Sequence, residues 1–206
     1  MSQTSPAYQN ITISGLPGSG STTLLKLLKT NLPDWQGFSG GDFMRAYALE
    51  KGLFKENKGL HHSAADYEDE FDRKIDFGMR EKLEKEKNWI LEAWLSGFLA
   101  QGIPGTLKVL LFCSDDAVRV DRIVNRDQVT VETALENIRR RTDNNVNKWT
   151  RMYKDEWESW VVGSGKAKPG EPIDFWKQSL YDVCIDTYKK NREQTLQLVL
   201  DVLKKG

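Results

Sequence analysis

The sequence has few of the residues that build disulfide-linked or metal-stabilised proteins. Only 2 of its 206 residues are cysteine and 2 are histidine, which is too few for a disulfide framework or a zinc site of the Cys/His type. Cys113 and Cys184 lie in apolar runs that predict buried strands, so we interpret them as reduced thiols of the core. The adjacent His61 and His62 lie in a polar stretch, which is more typical of a surface loop than of a metal site.

Long apolar runs and an excess of one charge are also absent. No apolar segment approaches the length needed to cross a membrane, and residues 1–10 are polar rather than typical of a signal peptide. The 30 basic residues balance 30 acidic ones, which argues against a protein that coats nucleic acid but allows a local site for a small phosphorylated ligand. We therefore expect a monomeric cytoplasmic protein that binds a small molecule, without a membrane or nucleic-acid partner.

What the chain does contain is a strand, a glycine-rich turn and a helix in direct succession. Residues 11–28 read ITISGLPGSGSTTLLKLL, and the helix is predicted to begin at about Ser21. Gly15, Gly18 and Gly20 permit backbone angles that other residues avoid, so successive N–H groups can turn inward around an anion. The helix directs its positive dipole end at the same anion. This succession predicts a P-loop that binds nucleotide phosphates.

The P-loop pattern G-x-x-x-x-G-K-[S/T] is complete except at its lysine. Ser21 stands where the lysine is expected, and Thr22 supplies the hydroxyl that reaches a Mg²⁺ ion between two phosphates. Ser21 can donate a neutral hydrogen bond but carries no charge, so the pattern leaves open whether the site still catalyses. The residues expected to contact the phosphates are Gly15, Gly18, Ser19, Gly20, Ser21, Thr22 and Thr23.

Alternating apolar strands and amphipathic helices predict a three-layer α/β fold. Buried strands are expected at 10–14, 89–92, 107–113 and 182–186, with a weaker one near 36–39. Helices with apolar stripes lie between them, and this alternation favours a doubly wound, five-stranded parallel sheet flanked by helices. We interpret all 206 residues as a single P-loop domain.

A second informative stretch, residues 38–46, reads FSGGDFMRA. It resembles the segment S-[TAG]-G-[DE]-x-x-R that follows the second strand of nucleoside monophosphate kinases, with Ser39, Asp42 and Arg45 at matching positions. The resemblance implies that these residues hold the acceptor monophosphate, a task that suits a planar guanidinium with two parallel donors. Without the resemblance, Asp42 only caps a helix and Arg45 lies on its solvated face.

More of the chain resembles one branch of that superfamily, the archaeal-type cytidylate kinases. FDRKID at 71–76 is similar to the branch's D-R-E-I-D helix, which implies that Arg73 and Asp76 face the acceptor nucleotide; a solvated charged face explains the same residues equally well. WILEAWLSGFLA at 89–100 resembles a strand that ends E-G-R-L-A-G-W, but Trp94 replaces its arginine. We interpret Trp94 as core packing in preference to stacking on a base.

Arginines cluster on the helices after the fourth strand. Arg119, Arg122 and Arg126 share one face of a predicted helix, at i, i+3 and i+7, and Arg141 follows on the next helix. In the resembling family an arginine-bearing lid closes over both nucleotides. This implies that Arg122, Arg126 and Arg141 stabilise the transferring phosphoryl group. The regions implied are 40–87 for the acceptor-binding helices and 119–160 for the lid.

Two features near the lid have no assigned role. Trp149, Trp157 and Trp160 lie in or just past its second helix, and the sequence leaves open whether they pack the lid or form a partner surface. Residues 158–172 are extra loop relative to the resembling family's pattern, and the polar composition of 163–172 is typical of a flexible loop.

Together the motifs imply an enzyme that transfers the γ-phosphoryl group of ATP, with Mg²⁺, to a pyrimidine nucleoside monophosphate, CMP or dCMP. No protein nucleophile is needed, because the acceptor's own phosphate oxygen attacks in line. Two alternatives remain open. Trp94 favours a kinase of another small-molecule acceptor, and Ser21 favours a nucleotide-binding protein with weakened catalysis.

Overall fold

Five parallel strands form one sheet in a computed structural model that describes residues 8–50 and 67–205, without the side chains of residues 48 and 49. His61 and His62 lie outside these residues. The strand order is β2-β3-β1-β4-β5, and each neighbouring pair is parallel. This confirms the expected doubly wound sheet. The strands are β1 Asn10–Ser14, β2 Gln36–Ser39, β3 Trp89–Glu92, β4 Thr106–Phe112 and β5 Val183–Asp186.

Helices connect the strands and cover the sheet, because parallel neighbours need crossover connections. The α-helices are α1 Ser21–Asn31, α2 Gly40–Glu50, α3 Asp69–Lys85, α4 Ser96–Leu99, α5 Asp116–Asp127, α6 Val131–Met152, α7 Lys154–Trp157 and α8 Arg192–Lys205. A π-helix at Glu158–Val162 and a 3₁₀ turn at Gln178–Leu180 complete the elements. The predicted addition at 158–172 therefore begins with a helical turn rather than as a loop throughout.

The sheet separates two hydrophobic clusters, because successive side chains of a strand point to opposite faces. Ile90 packs with Ile11 and the first helix on one face, whereas its neighbour Leu91 packs in the cluster on the other face. The first cluster also receives Val199 of α8, as the apolar stripe of that helix predicts. Both faces of the sheet are thus covered, as expected for a parallel sheet whose connections are helices.

Aromatic side chains dominate the second cluster and resolve the question about the tryptophans. Phe98 lies at its centre, with ring centroids 4.7 Å from Phe175 and 6.3 Å from Trp157. Trp149 and Trp157 are buried, and Trp160 packs against the cluster. These tryptophans pack the core on this face of the sheet and do not form an exposed partner surface.

Both cysteines are free thiols, as expected, and Cys184 packs against the second cluster, but the prediction that they are buried is wrong. The predicted strand included Cys113, but β4 ends at Phe112. Cys113 therefore lies just after the strand and is only half-buried. Cys184 lies in the edge strand β5, where its Sγ is 3.6 Å from the carbonyl oxygen of Gln178, and is also half-buried. An edge strand has one neighbour rather than two, so its side chains are less completely covered.

Within the described residues, none of the helices is long and apolar enough to cross a membrane.

The aromatic core yields a stability prediction. Trp157 is 0% exposed, so Trp157→Ala removes a large buried side chain and should lower the free energy of unfolding by about 3–5 kcal/mol. Val131 is 52% exposed on α6, and Val131→Ala is the matched control, with an expected change within about 0.5 kcal/mol. Urea denaturation followed by far-UV circular dichroism measures both. Equal losses would show that Trp157 contributes little to the core.

Candidate active site

A cleft of about 1440 Å³ opens at the carboxyl ends of the strands, where ligands bind in open α/β sheets. Gly15 follows β1, Ser39 ends β2, Glu92 ends β3 and Thr187 follows β5, and all four line this cleft. The sequence-predicted residues that the structure brings to the cleft are Gly15, Gly18, Ser19, Gly20, Ser21, Thr22, Thr23, Ser39, Asp42, Arg45, Arg122, Arg126 and Arg141.

The glycine-rich turn between β1 and α1 has the geometry of a phosphate cradle. Gly18 and Gly20 have φ angles of 84° and 95°, which glycine adopts without steric cost. A Cβ added at Gly15 would lie 2.3 Å from the Ser19 Oγ and 2.8 Å from the Leu111 carbonyl oxygen. The turn is therefore too tightly folded for a side chain at this position.

The first turn of α1 leaves its N–H groups available for an anion. Its N-cap is Gly20, which has no side chain to accept a hydrogen bond, whereas Asp115 and Thr130 cap α5 and α6 with their own side chains. The Oγ of Ser19 is also buried without a hydrogen-bond partner among the described residues. These unsatisfied donors fit the phosphates of a nucleotide.

Ser21, at the lysine position, binds a buried carboxylate. Its Oγ donates to the Oε1 of Glu92 at 2.7 Å, and the Oγ of Ser39 donates to the Oε2 of the same residue at 2.7 Å. Burial raises the pKa of Glu92, and the two hydroxyl donors oppose that rise. Glu92 thereby joins the P-loop helix to the segment expected to bind the acceptor.

Three arginines face the same part of the cleft and are balanced unequally by acids. Arg45 pairs with Asp42, and Arg126 pairs with Asp127 through contacts of 2.7 and 2.8 Å. Arg141 has no carboxylate within 4 Å among the residues that the structure describes. Burial, together with Arg126 and Arg45, lowers the pKa of Arg141 to about 10. This region is therefore short of negative charge, which an anionic ligand would supply.

Arg122 links the P-loop to the loop after β5 through hydrogen bonds. Its Nη1 donates to the Gly18 carbonyl oxygen at 3.1 Å and to the Thr187 Oγ1 at 2.9 Å, and its Nη2 donates to the Thr187 carbonyl oxygen at 2.8 Å. The P-loop is thus fixed to the loop after β5. The guanidinium of Arg122 is thus engaged by these protein acceptors, whereas the family resemblance implies contact with the transferring phosphoryl group.

A smaller cavity of about 100 Å³ adjoins the cleft, and Trp94 and Arg141 line both. Asp76 lies in its wall and accepts a hydrogen bond from the Tyr153 hydroxyl at 2.5 Å. Burial raises the pKa of Asp76 to about 7. The rest of the wall is mostly apolar. The other lining residues are Gly40, Gly41, Met44, Tyr67, Asp72, Ile75, Met79, Ala93, Leu95, Asn145 and Trp149.

Comparison with known proteins confirms the resemblance stated from the motifs. The family described as AAA domain matches residues 11–146. A cytidylate kinase from Archaeoglobus fulgidus is 34% identical over 152 residues, which span 74% of this chain and 81% of that protein. One from Methanosarcina barkeri is 31% identical over 195 residues, which span 94% and 93% of the two chains.

The chain belongs to the archaeal-type cytidylate kinase family. A gluconokinase from Sinorhizobium meliloti has a TM-score of 0.54 at 12% identity, covering 98% of this chain and 94% of that one, and this likeness concerns the fold alone. The predicted P-loop kinase fold is therefore confirmed.

Arg73, which the family resemblance directs toward the acceptor, lies outside both cavities of this cytidylate kinase-family protein. Its guanidinium donates to the Met152 carbonyl oxygen at 2.8 Å and pairs with Glu156. It thus joins α3 to the end of α6 and to α7. The pairing carboxylate is 83 residues away in sequence, so the D-R-E-I-D pattern alone contains no signal of this alternative use.

Sequence reasoning also missed site residues. Tyr188, Lys190 and Arg192 line the cleft from the segment after β5. Their position after the last strand, at the edge where the P-loop lies, was the available signal. Tyr67 and Asn145 of the smaller cavity come from segments far apart in sequence, and nothing in either local pattern marks them as neighbours.

The residues present fit Mg²⁺ carried by a nucleotide rather than a resident metal ion. Within residues 8–50 and 67–205 there is no group of three or more histidine, cysteine, aspartate or glutamate side chains placed to hold a metal. Mg²⁺ in phosphoryl-transfer sites is held mainly by phosphates and water, with one or two protein oxygens. The hydroxyl of Thr22, in the first turn of α1, lines the cleft and suits that part.

The P-loop geometry predicts unequal effects of two alanine substitutions. Both Gly18 and Gly20 have left-handed backbones, so each substitution introduces strain of roughly 1–2 kcal/mol. A Cβ at Gly18 would also lie 2.7 Å from the Arg119 carbonyl oxygen, whereas one at Gly20 meets none of the described atoms within 4 Å. Without ligand, Gly18→Ala should lower the melting temperature more than Gly20→Ala in differential scanning calorimetry. The opposite order would contradict the packing of the P-loop on α5.

The raised pKa of Asp76 predicts a pH-dependent stability. The folded state favours the neutral carboxyl, so the stability contribution of Asp76 is complete below pH 4 and is lost as pH rises through about 7. The slope in this window is up to about 1.4 kcal/mol per pH unit. Asp76→Asn keeps an acceptor for Tyr153 but does not titrate, so its unfolding free energy should decline less between pH 5 and 8. Urea denaturation at each pH compares the two proteins, and parallel curves would contradict the assignment.

Proposed function

We propose that this protein transfers the γ-phosphoryl group of ATP to a pyrimidine nucleoside monophosphate, CMP or dCMP, and forms the diphosphate. The observation that carries the proposal is that a P-loop cleft and a small cavity adjoin, with Arg141 in the wall of both. Such an arrangement suits two ligands whose phosphates meet at one point. The name of the relatives, cytidylate kinase, supports the same activity.

The donor nucleotide occupies the cleft in this proposal. The open N–H groups of the P-loop and α1 bind its phosphates, and the Thr22 hydroxyl would help to hold the Mg²⁺ that the nucleotide carries, which would neutralise phosphate charge there. Arg122 holds the P-loop against the loop after β5 through its three hydrogen bonds. It acts by fixing the shape of the site and not by contact with the transferring group.

The acceptor's phosphate lies among Ser39, Asp42, Arg45 and Arg141. Arg126 and Arg141 neutralise the charge of the transferring phosphoryl group, because Ser21 supplies no ammonium. Phosphoryl transfer needs mainly positioning and charge neutralisation, so arginines can fill this part. An oxygen of the acceptor phosphate attacks the γ-phosphorus in line, and ADP leaves.

The acceptor's base lies in the smaller cavity. Its apolar walls cover the faces of a flat ring, and the carboxylate of Asp76 accepts a hydrogen bond from an exocyclic amino group. Cytosine has such a group, whereas uracil presents a carbonyl oxygen, which the ionised form of Asp76 repels at pH values above about 7. This difference supports CMP over UMP. The segments 40–87 and 119–160 remain the proposed acceptor-binding region and lid.

A coupled assay of ADP release with CMP, dCMP, UMP and AMP tests the proposed function. CMP or dCMP should have the highest kcat/KM. Turnover with none of the four would remove the proposal, and a thermal-shift screen of other phosphorylated and hydroxylated acceptors would then test the alternative of a different small-molecule kinase. ATP binding without any turnover would favour the catalytically weakened protein.

A pair of neighbouring substitutions tests the division of labour at the P-loop. Thr22→Ala should lower kcat by roughly 10–100-fold, because it removes a proposed ligand of the nucleotide's Mg²⁺. Ser21→Ala removes only the hydrogen bond to Glu92 and should cost less. Steady-state kinetics with saturating Mg²⁺ measures both. A larger loss in Ser21→Ala would show that residue 21 contacts the phosphates directly.

A further inference from the structure

Arg141 is a largely buried cation whose position needs an explanation. It lines both the cleft and the smaller cavity. Its Nε–H is buried without a hydrogen-bond partner among the described residues, and no described carboxylate lies within ion-pair distance. Arg45 and Arg126 are close enough to repel it. A guanidinium in these surroundings turns away from the site unless another contact holds it.

Trp94 provides that contact. The Cζ of Arg141 lies 5.3 Å from the centroid of the Trp94 ring, within the range of a cation–π interaction. Indole is the strongest aromatic partner for a cation, and the attraction increases where water is excluded. Trp94 therefore does more than the core packing expected from the sequence, because it also lines both cavities.

Two further tryptophans fix the Trp94 ring. Trp149 meets it edge-on, with centroids 5.5 Å apart and an interplanar angle of 75°, and Trp176 does so at 6.2 Å and 69°. The Nε1–H of Trp176 also donates to the Trp94 carbonyl oxygen at 3.0 Å. We call Trp94, Trp149 and Trp176 the tryptophan bracket. Trp149 and Arg141 both belong to α6. The tryptophan bracket therefore contacts the helix that carries Arg141 as well as the Arg141 guanidinium.

We propose that Trp94 is a positioning residue that holds the Arg141 guanidinium toward the phosphate shared by the two cavities. The inference rests on the proposed function for the identity of that phosphate. The family pattern has an arginine at this position, whereas this chain has an uncharged ring that orients a cation from another helix. Arg141 thus supplies the positive charge, and the Trp94 ring fixes its direction. An arginine at position 94 would be a fourth cation beside Arg45, Arg126 and Arg141, and the uncharged ring avoids the added repulsion.

Calorimetric titration tests the consequence for binding. CMP contains the phosphate and cytidine lacks it, so positioning of Arg141 affects the affinity for CMP alone. Because Trp94 also lines the smaller cavity, Trp94→Leu lowers the affinity for both ligands, but it should weaken CMP binding roughly tenfold more than cytidine binding. Trp94→Phe keeps a ring and should retain most of the affinity for both. Equal weakening of CMP and cytidine by Trp94→Leu would show that Trp94 only shapes the cavity, and would overturn the proposal.

An NMR measurement tests the contact without any substrate. The Nε–H resonance of Arg141, assigned by its loss in Arg141→Lys, should be shifted by the ring current of Trp94 and should move toward the free-arginine position in Trp94→Leu. An unchanged resonance overturns the proposal whatever the activity. Trp176→Phe, which keeps a ring but loses the hydrogen bond to Trp94, is the milder second variant if Trp94→Leu does not fold, and its Arg141 resonance should move in the same direction. Wild-type protein that shows the shift but binds no CMP would contradict the proposed function and leave the contact standing.

Discussion

A single buried carboxylate connects the two halves of the site. Glu92 accepts one hydroxyl from the helix after the P-loop and one from the end of β2, and it lies between them because parallel strands place their carboxyl ends at one edge. A buried carboxylate is costly unless it is hydrogen-bonded. The two hydroxyls therefore stabilise Glu92, and Glu92 in turn sets the spacing between Ser21 and Ser39. The P-loop can therefore be ordered without its lysine, because the Ser21 hydroxyl has a defined hydrogen-bond partner in Glu92.

Electrostatic imbalance is the second property on which the site depends. Arg45 and Arg126 have acidic neighbours, whereas Arg141 has an aromatic one. A ring attracts a cation without neutralising it, so the positive potential at the junction of the two cavities persists. A folded protein keeps such a potential at some cost to its stability, and a polyanionic ligand offsets that cost when it binds.

The sheet and the P-loop could be predicted from the sequence, because both depend on local patterns. Apolar segments marked four of the strands, a weaker signal marked β2, and glycine spacing marked the phosphate cradle. The contacts that long side chains make with residues distant in sequence could not be predicted in the same way. Arg73 has the pattern of an acceptor ligand, yet Glu156 lies within its reach and binds it. Trp94 was expected in the core, and only the packing of α6 shows that the face of its ring meets the Arg141 guanidinium.

The three hydrogen bonds of Arg122 limit how the arginine-bearing helices can move. They anchor α5 to the P-loop and to the loop after β5. A rigid-body rotation of α5 would therefore break these hydrogen bonds and distort the P-loop. Motion that preserves the cradle has to pivot beyond α5, where Gln128 ends the helix with a left-handed φ of 54°. Further along the chain, Trp149 of α6 is buried in the second hydrophobic cluster, so such a pivot has to lie between Gln128 and Trp149.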